Sequence, residues 1–183
     1  MAKRVILLCG YGGVGKDTIR AMLEKRGYEG GALAAKVREM AETLDPYFRE
    51  TQCTYNHLMR TMGYEAAKRA HPCVREFLVK LGHDCKKVLG EDIWIRLLRE
   101  RVDASTKPFV ISDCRYLEEV RAFPDAELWY IDRPGVGPAN NAEGTTIPLI
   151  LAECNGRFTT IHNDSDMYHL EIRVANAHHA RRH

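Results

Sequence analysis

The run from Arg4 to Thr18, RVILLCGYGGVGKDT, constrains the chain more than any other stretch. Val5, Ile6, Leu7, Leu8 and Cys9 are apolar without alternation, which predicts a strand buried on both faces. Gly10 and Gly15 then frame a G-x-x-x-x-G-K spacing, and Lys16-Asp17-Thr18 open a helix. Glycines let successive backbone N–H groups turn inward around a polyphosphate, and the helix aims the positive end of its dipole at the same point. Lys16 can reach the outer phosphates as a point charge. Gly10, Gly12, Gly13, Val14, Gly15, Lys16, Asp17 and Thr18 are therefore the candidate nucleotide-phosphate site; the competing reading is a strand-to-helix turn with an incidental lysine. One position departs from the usual pattern. Where Ser or Thr normally offers a hydroxyl to Mg²⁺, this chain has Asp17, and the hydroxyl follows at Thr18. Asp17 is then placed to orient metal-bound water or an acceptor.

With 183 residues the chain suits one domain, 1–183, large enough to bury roughly two-thirds of its unfolded surface. A net charge of +2 gives no reason to expect direct nucleic-acid binding, so any affinity for anions is local. The six cysteines are scattered and form no C-x-x-C pair, which predicts reduced thiols in a cytoplasmic protein with neither disulfide framework nor zinc site. The first apolar run leads into the glycine loop, as a core strand does and a signal peptide does not. No stretch approaches the roughly 20 apolar residues of a membrane span, so no membrane partner is expected.

After the loop, Ile19, Met22 and Leu23 share one helical face, and a weak strand is expected near Glu29–Leu33. Val37, Met40, Ala41 and Leu44 make an apolar helical stripe ended by Asp45-Pro46. Lys36 and Arg38 fall off that stripe, either as solvent-facing charges or as a grip on a second substrate's phosphate. From Thr54 to Val102 the pattern is helical, broken at Gly63, His71-Pro72 and Gly90. Phe77, Leu78, Leu81, Cys85, Val88 and Leu89 form one core-facing stripe; Ile93, Trp94, Leu97, Leu98 and Val102 form another. Short strands are expected at Pro108–Asp113, Leu128–Asp132 and Phe158–His162. Arg133 to Thr146 is the longest evident loop. A final helix, capped by Asp164 or Ser165, runs from Asp166 to about Ala177, and HHARRH reads as a frayed tail. His57, His71 and His83 show no metal-ligand spacing.

Five strands separated by helices predict an α/β architecture with a parallel sheet covered on both faces. Ligands bind such sheets beyond the C-terminal strand ends. That rule gathers the Gly10–Thr18 loop, Asp113 with Arg115, and Arg133. Asp113 can hold Mg²⁺ or cap the helix after it. Arg115 and Arg133 can steady charge on a transferring phosphoryl group or make ordinary surface ion pairs.

The segments GYGGVGKDT, LDPYF, GYEAAKRAHPCVREFLVKLGHDCKKVLGEDIWI, VISDCRYLEEV, IDRPGVGP and HNDSD, in this order over most of the chain, resemble the phage-type deoxynucleoside monophosphate kinases. The resemblance implies a P-loop three-layer fold with a five-stranded parallel sheet, a helical substrate-binding insert at about 34–103 and a short lid-like loop at about 133–146. It implies transfer of the γ-phosphoryl of ATP, with Mg²⁺, to a deoxynucleoside monophosphate (dNMP). By that likeness Lys16, Asp17, Asp113, Arg115 and Arg133 are catalytic, and Thr18 and Asp113 serve the metal. Glu119, in the D-x-R-x-x-x-E run, joins Lys36, Arg38, Arg69, Trp94 and Arg96 as substrate-binding residues. It is compatible with a homodimer in the cytoplasm, that of the host cell where the kinase is phage-encoded. The chain departs from the pattern at Asn141-Ala142-Glu143, where relatives show a His-x-Ser-Glu type run. No arginine occurs between Arg133 and Arg157, so an arginine-rich lid is absent and charge stabilisation rests on Lys16, Arg115, Arg133 and Mg²⁺. Glu143 is then a lid contact or an exposed loop acid. The alternatives are another small-molecule P-loop kinase, acting on a cofactor precursor or sugar acid, and a P-loop ATPase or switch. A guanine-reading N-K-x-D motif is missing: Asn163-Asp164-Ser165-Asp166 lacks its lysine.

Overall fold

The computed structural model describes residues 3–138 and 141–180, and of Ala142 the backbone alone. Residues 1–2, 139–140 and 181–183 lie outside the described residues, and with them part of the loop expected at 133–146 and of the expected frayed tail. In chain order the elements are β1 (Val5–Cys9), α1 (Lys16–Glu24), β2 (Glu29–Gly31), α2 (Ala35–Leu44), β3 (Tyr47–Phe48), β4 (Cys53–Thr54), α3 (Tyr55–Met62), α4 (Tyr64–Ala70) and α5 (Pro72–Leu89). There follow α6 (Ile93–Ala104), β5 (Phe109–Cys114), α7 (Leu117–Arg121), β6 (Glu127–Asp132), α8 (Asn141–Cys154), β7 (Thr159–His162) and α9 (Met167–His179). They group into two units: one takes the chain up to Ala32 and from Leu98 onward, the other Leu33–Leu97.

The first unit is built on a five-stranded sheet in the order β2-β5-β1-β6-β7. Every neighbouring pair is parallel, with Ile6 beside Val110, Leu8 beside Trp129, and Ile131 beside Ile161. Because alternate strand residues face opposite sides, Ile6, Leu8, Val110, Trp129 and Ile131 pack with Ile19, Met22 and Leu23 of α1 and Leu170 and Val174 of α9. Leu7, Phe109 and Ile111 alternate with them and are equally buried. That double burial is why these strands read as unbroken apolar runs. Central β1 carries β5 on one side and β6 on the other, so the segments leaving all three meet at one sheet edge.

The second unit is mostly helical. Phe77 meets Phe48 edge-on at 5.8 Å and Tyr55 at 6.3 Å, and Val74 and Leu78 of α5 are buried. Its two-residue strands β3 and β4 pair antiparallel, which apolar periodicity cannot signal over so short a span. The α5 stripe holds only through its first half: Val88 and Leu89 are exposed, as is Leu44 of α2.

Two further differences concern the first unit. Residues 141–146, expected as loop, are the opening of helix α8, which continues to Cys154 with Pro148 inside it. Ile147 and Ile150 are fully buried there, and that burial overrides the poor helix propensity of Gly144 and Pro148. The cap of α9 is Asp166 itself, whose carboxylate accepts from the His169 N–H at 2.9 Å. All six cysteines are free.

Candidate active site at the glycine-rich loop

The chain leaves β1 through Gly10, φ 144°, and enters α1 through Gly15, φ 102°. Both glycines are required by their surroundings as well as by their dihedrals. A Cβ on Gly10 would stand 2.6 Å from the Ile131 carbonyl oxygen, and one on Gly15 would stand 2.6 Å from the Asn163 amide nitrogen. Val14 is buried in the core beneath the loop and anchors it. Asn163, the first residue after β7, donates from Nδ2 to the Val14 carbonyl at 2.8 Å. Its own N–H continues the sheet ladder to the Asp132 carbonyl at 2.7 Å. Two strand ends thus hold the loop in shape.

Lys16 is 8% exposed. Its Nζ donates to the carbonyls of Gly10 at 2.6 Å and Tyr11 at 2.7 Å, which places the ammonium at the mouth of the loop. Burial lowers its pKa, the neighbouring Arg115 charge lowers it further, and the Glu143 carboxylate opposes both. Beneath it the Cys9 thiol is pushed up to about 12, and Cys114 well upward, by burial, so neither supplies a thiolate at neutral pH.

Asp113 lies within β5, one strand over from β1, and the cap of α7 is Tyr116. Glu119 makes that cap effective, accepting at Oε2 from the N–H of Arg115 at 2.6 Å and of Tyr116 at 2.9 Å. The helix-capping alternative for Asp113 therefore falls away, and Glu119 fixes the backbone that carries Arg115. Burial raises the Glu119 pKa to about 7 against the pull of those two N–H groups. Arg115 makes an ion pair at 2.7 Å with Glu143, which is 3% exposed and whose other oxygen accepts from the Gly12 N–H at 3.2 Å. Arg133 is exposed and reaches the Gly13 carbonyl at 3.4 Å.

Asp17 points from α1 to β5: its carboxylate accepts from the Ser112 hydroxyl at 3.1 Å, and Ser112 accepts from Arg20 at 3.3 Å. Asp17 is thereby drawn toward the strand end that bears Asp113. The half-buried Thr18 hydroxyl lies one residue on. These donors are all oxygens, as Mg²⁺ requires. Among the described residues no three His, Cys, Asp or Glu side chains gather into a cation cage.

The remaining candidates lie on the second unit. Arg38 stacks its guanidinium 3.8 Å from the centre of the Tyr64 ring, and Lys68 lies 4.8 Å from the same ring. Among the described residues the buried Arg38 Nε has no hydrogen-bond partner, nor has the buried Tyr55 hydroxyl. Lys36 is paired with Glu39 at 2.6 Å, and Arg69 is exposed on α4. Arg96 is exposed, its guanidinium 3.5 Å from the Leu89 carbonyl. Trp94 is buried and donates its indole N–H to the Gly82 carbonyl at 3.0 Å, a packing role within this unit.

Sequence reasoning missed Ser112, Asn163 and the part played by Glu143. The first two follow the strand-end rule that found Asp113 and Arg133, because Ser112 precedes Asp113 and Asn163 follows the last strand. Glu143 gave no such signal.

TT1252 from Thermus thermophilus is 20% identical to this chain, with full coverage of both chains and a TM-score of 0.53. The likeness is one of fold: an α/β arrangement on a five-stranded parallel sheet. Dephospho-CoA kinase from Campylobacter jejuni is 12% identical over 97% of both chains at a TM-score of 0.46. A gluconokinase from Sinorhizobium meliloti 1021 is 14% identical over 98% of both at 0.47. No family model matches the sequence, and no curated protein matches it.

Proposed function

We propose that this chain is an ATP-dependent phosphotransferase for a small-molecule acceptor, and within that class a kinase converting deoxynucleoside monophosphates to diphosphates. The observation that carries the reading is the loop itself: a strand-to-helix turn framed by Gly10 and Gly15 at positive φ, with Lys16 at its mouth and Arg115 beside it. ATP with Mg²⁺, when bound, supplies an activated γ-phosphoryl group whose charge the metal screens. The loop N–H groups and Lys16 hold and orient the phosphate chain. Asp113, Asp17 and Thr18 furnish oxygen donors on the metal side. Arg115, steadied by Glu119, and Arg133 offer positive charge where the transferring group becomes most anionic. Phosphoryl transfer asks little else of a protein than position and electrostatics.

Arg38 supports an anionic acceptor. It lies over the Tyr64 ring with a buried Nε that has no partner among the described residues, and a guanidinium fixed in this way is suited to a phosphate monoester or carboxylate. A second reading, a sugar acid or cofactor precursor as acceptor, is favoured by Trp94, whose burial and bonded N–H leave it unsuited to contacting a nucleobase.

ADP release with each dNMP, each ribonucleoside monophosphate, and a set of sugar acids separates these readings. A dNMP-dependent rate supports the first, and a rate with sugar acids alone supports the second. ATP hydrolysis that no acceptor accelerates would overturn both in favour of an ATPase.

A further inference from the structure

A carboxylate of the protein itself sits against the glycine-rich loop. Glu143, in the first turn of α8, has both carboxylate oxygens engaged: Oε2 accepts from the Gly12 N–H at 3.2 Å and Oε1 from Arg115 Nη1 at 2.7 Å. It is buried, at 3% exposure, although it belongs to one of the residue types least often buried. Backbone N–H groups and guanidinium forks serve carboxylate and phosphate oxygens alike. Gly12 N–H and Arg115 are therefore donors that a polyphosphate at this loop would also use, and neither can serve both anions at once.

We infer that Glu143 is a built-in competitor for the terminal phosphate: a polyphosphate gains Gly12 and Arg115 only as the Glu143 carboxylate releases them. This rests on reading the loop as a phosphate cradle. The exchange is anion for anion, so Arg115 stays paired throughout, first to Glu143 and then to the phosphate. Arg115 reports on that exchange because it belongs to both pairs.

The test is calorimetric titration of inorganic tripolyphosphate into the full chain, comparing wild type with Glu143→Gln and Glu143→Asp. Gln keeps the size and removes the charge; Asp keeps the charge but is one methylene too short to bridge both donors. Each is expected to bind tripolyphosphate about tenfold more tightly, the effect of about one charge-assisted hydrogen bond no longer contested. Thermal melts check that both variants fold, and the second variant keeps the test open where the first does not. Unchanged or weaker binding by a folded variant overturns the inference and assigns Glu143 to positioning Arg115. No binding by wild type or variants overturns the phosphate-cradle reading with it. Tripolyphosphate involves no acceptor, so the outcome is independent of whether dNMPs are substrates.

Discussion

Side chains in this site owe their chemistry to partners far away in sequence. Glu119 is the clearest case. Its pKa is raised from 4.5 to about 7 by burial. Between those values the folded state keeps a proton that the unfolded chain releases, so the stability that Glu119 contributes is fully present below pH 4.5 and is lost as pH rises through about 7. The loss is on the order of 3 kcal/mol. Glu119→Gln keeps an acceptor for the Arg115 and Tyr116 N–H groups and cannot ionise. Denaturant titrations at pH 5 and pH 8 should therefore show wild type losing stability relative to the variant on going to pH 8. Parallel pH profiles would remove the buried-acid argument. Asp113→Asn addresses the metal side. It should raise the Mg²⁺ concentration needed for half-maximal turnover about tenfold or more, the loss typical of a ligand or its hydrogen-bonded support. An unshifted Mg²⁺ titration assigns Asp113 a structural role in β5. The places of Lys16, Asp113, Arg115 and Arg133 were legible in the sequence, Lys16 from the G-x-x-x-x-G-K spacing and the other three from the ends of apolar strand runs. Ser112, Glu143 and Asn163 take their meaning from partners 95, 131 and 149 residues away, and no local pattern encodes such pairings.

The elements were legible where burial repeats at a period. The central strands β1, β5 and β6 announced themselves because they are largely buried on both faces, whereas the edge strands β2 and β7, only partly buried, gave a weaker pattern. Helix α8 hid because its Asn, Gly and Pro content is that of a loop, while the burial of Ile147 and Ile150 that stabilises it depends on tertiary contacts. Exposed Val88 and Leu89 show the converse, since period alone does not say how far a neighbour extends. The glycine-rich loop is likewise held from outside itself. Asn163 ties it to the end of β7 through Val14. Asn163→Ala removes that tie without touching a phosphate ligand, so the KM for ATP should rise about tenfold while the acceptor KM stays constant. Asn163→Asp, whose carboxylate faces the Val14 carbonyl with no donor, should not restore binding. A normal ATP KM in Asn163→Ala would show that the loop is rigid without β7.

At the scale of the whole molecule, the candidate donor residues belong to the first unit, together with Glu119, and Lys36, Arg38, Arg69, Trp94 and Arg96 to the second. Ligand-induced stabilisation tests that division without any assumption about the reaction. A ligand that binds only the folded chain adds RT ln(1 + [L]/Kd), about 2.7 kcal/mol at a hundredfold excess over Kd, or roughly 5–10 °C of melting temperature for a chain of this size. MgADP should raise the melting temperature of wild type and of Arg38→Ala alike, and should not raise that of Lys16→Ala. A dNMP should stabilise wild type and Lys16→Ala, and fail with Arg38→Ala. Turnover is expected to fall by several orders of magnitude in Lys16→Ala, because removing its charge from the mouth of the loop takes electrostatic stabilisation from the transfer itself. The same variant should melt within a few degrees of wild type in the absence of ligand. An undiminished MgADP shift in Lys16→Ala would place the nucleotide elsewhere, and loss of both ligand shifts in Arg38→Ala would mean that donor and acceptor do not occupy separable units.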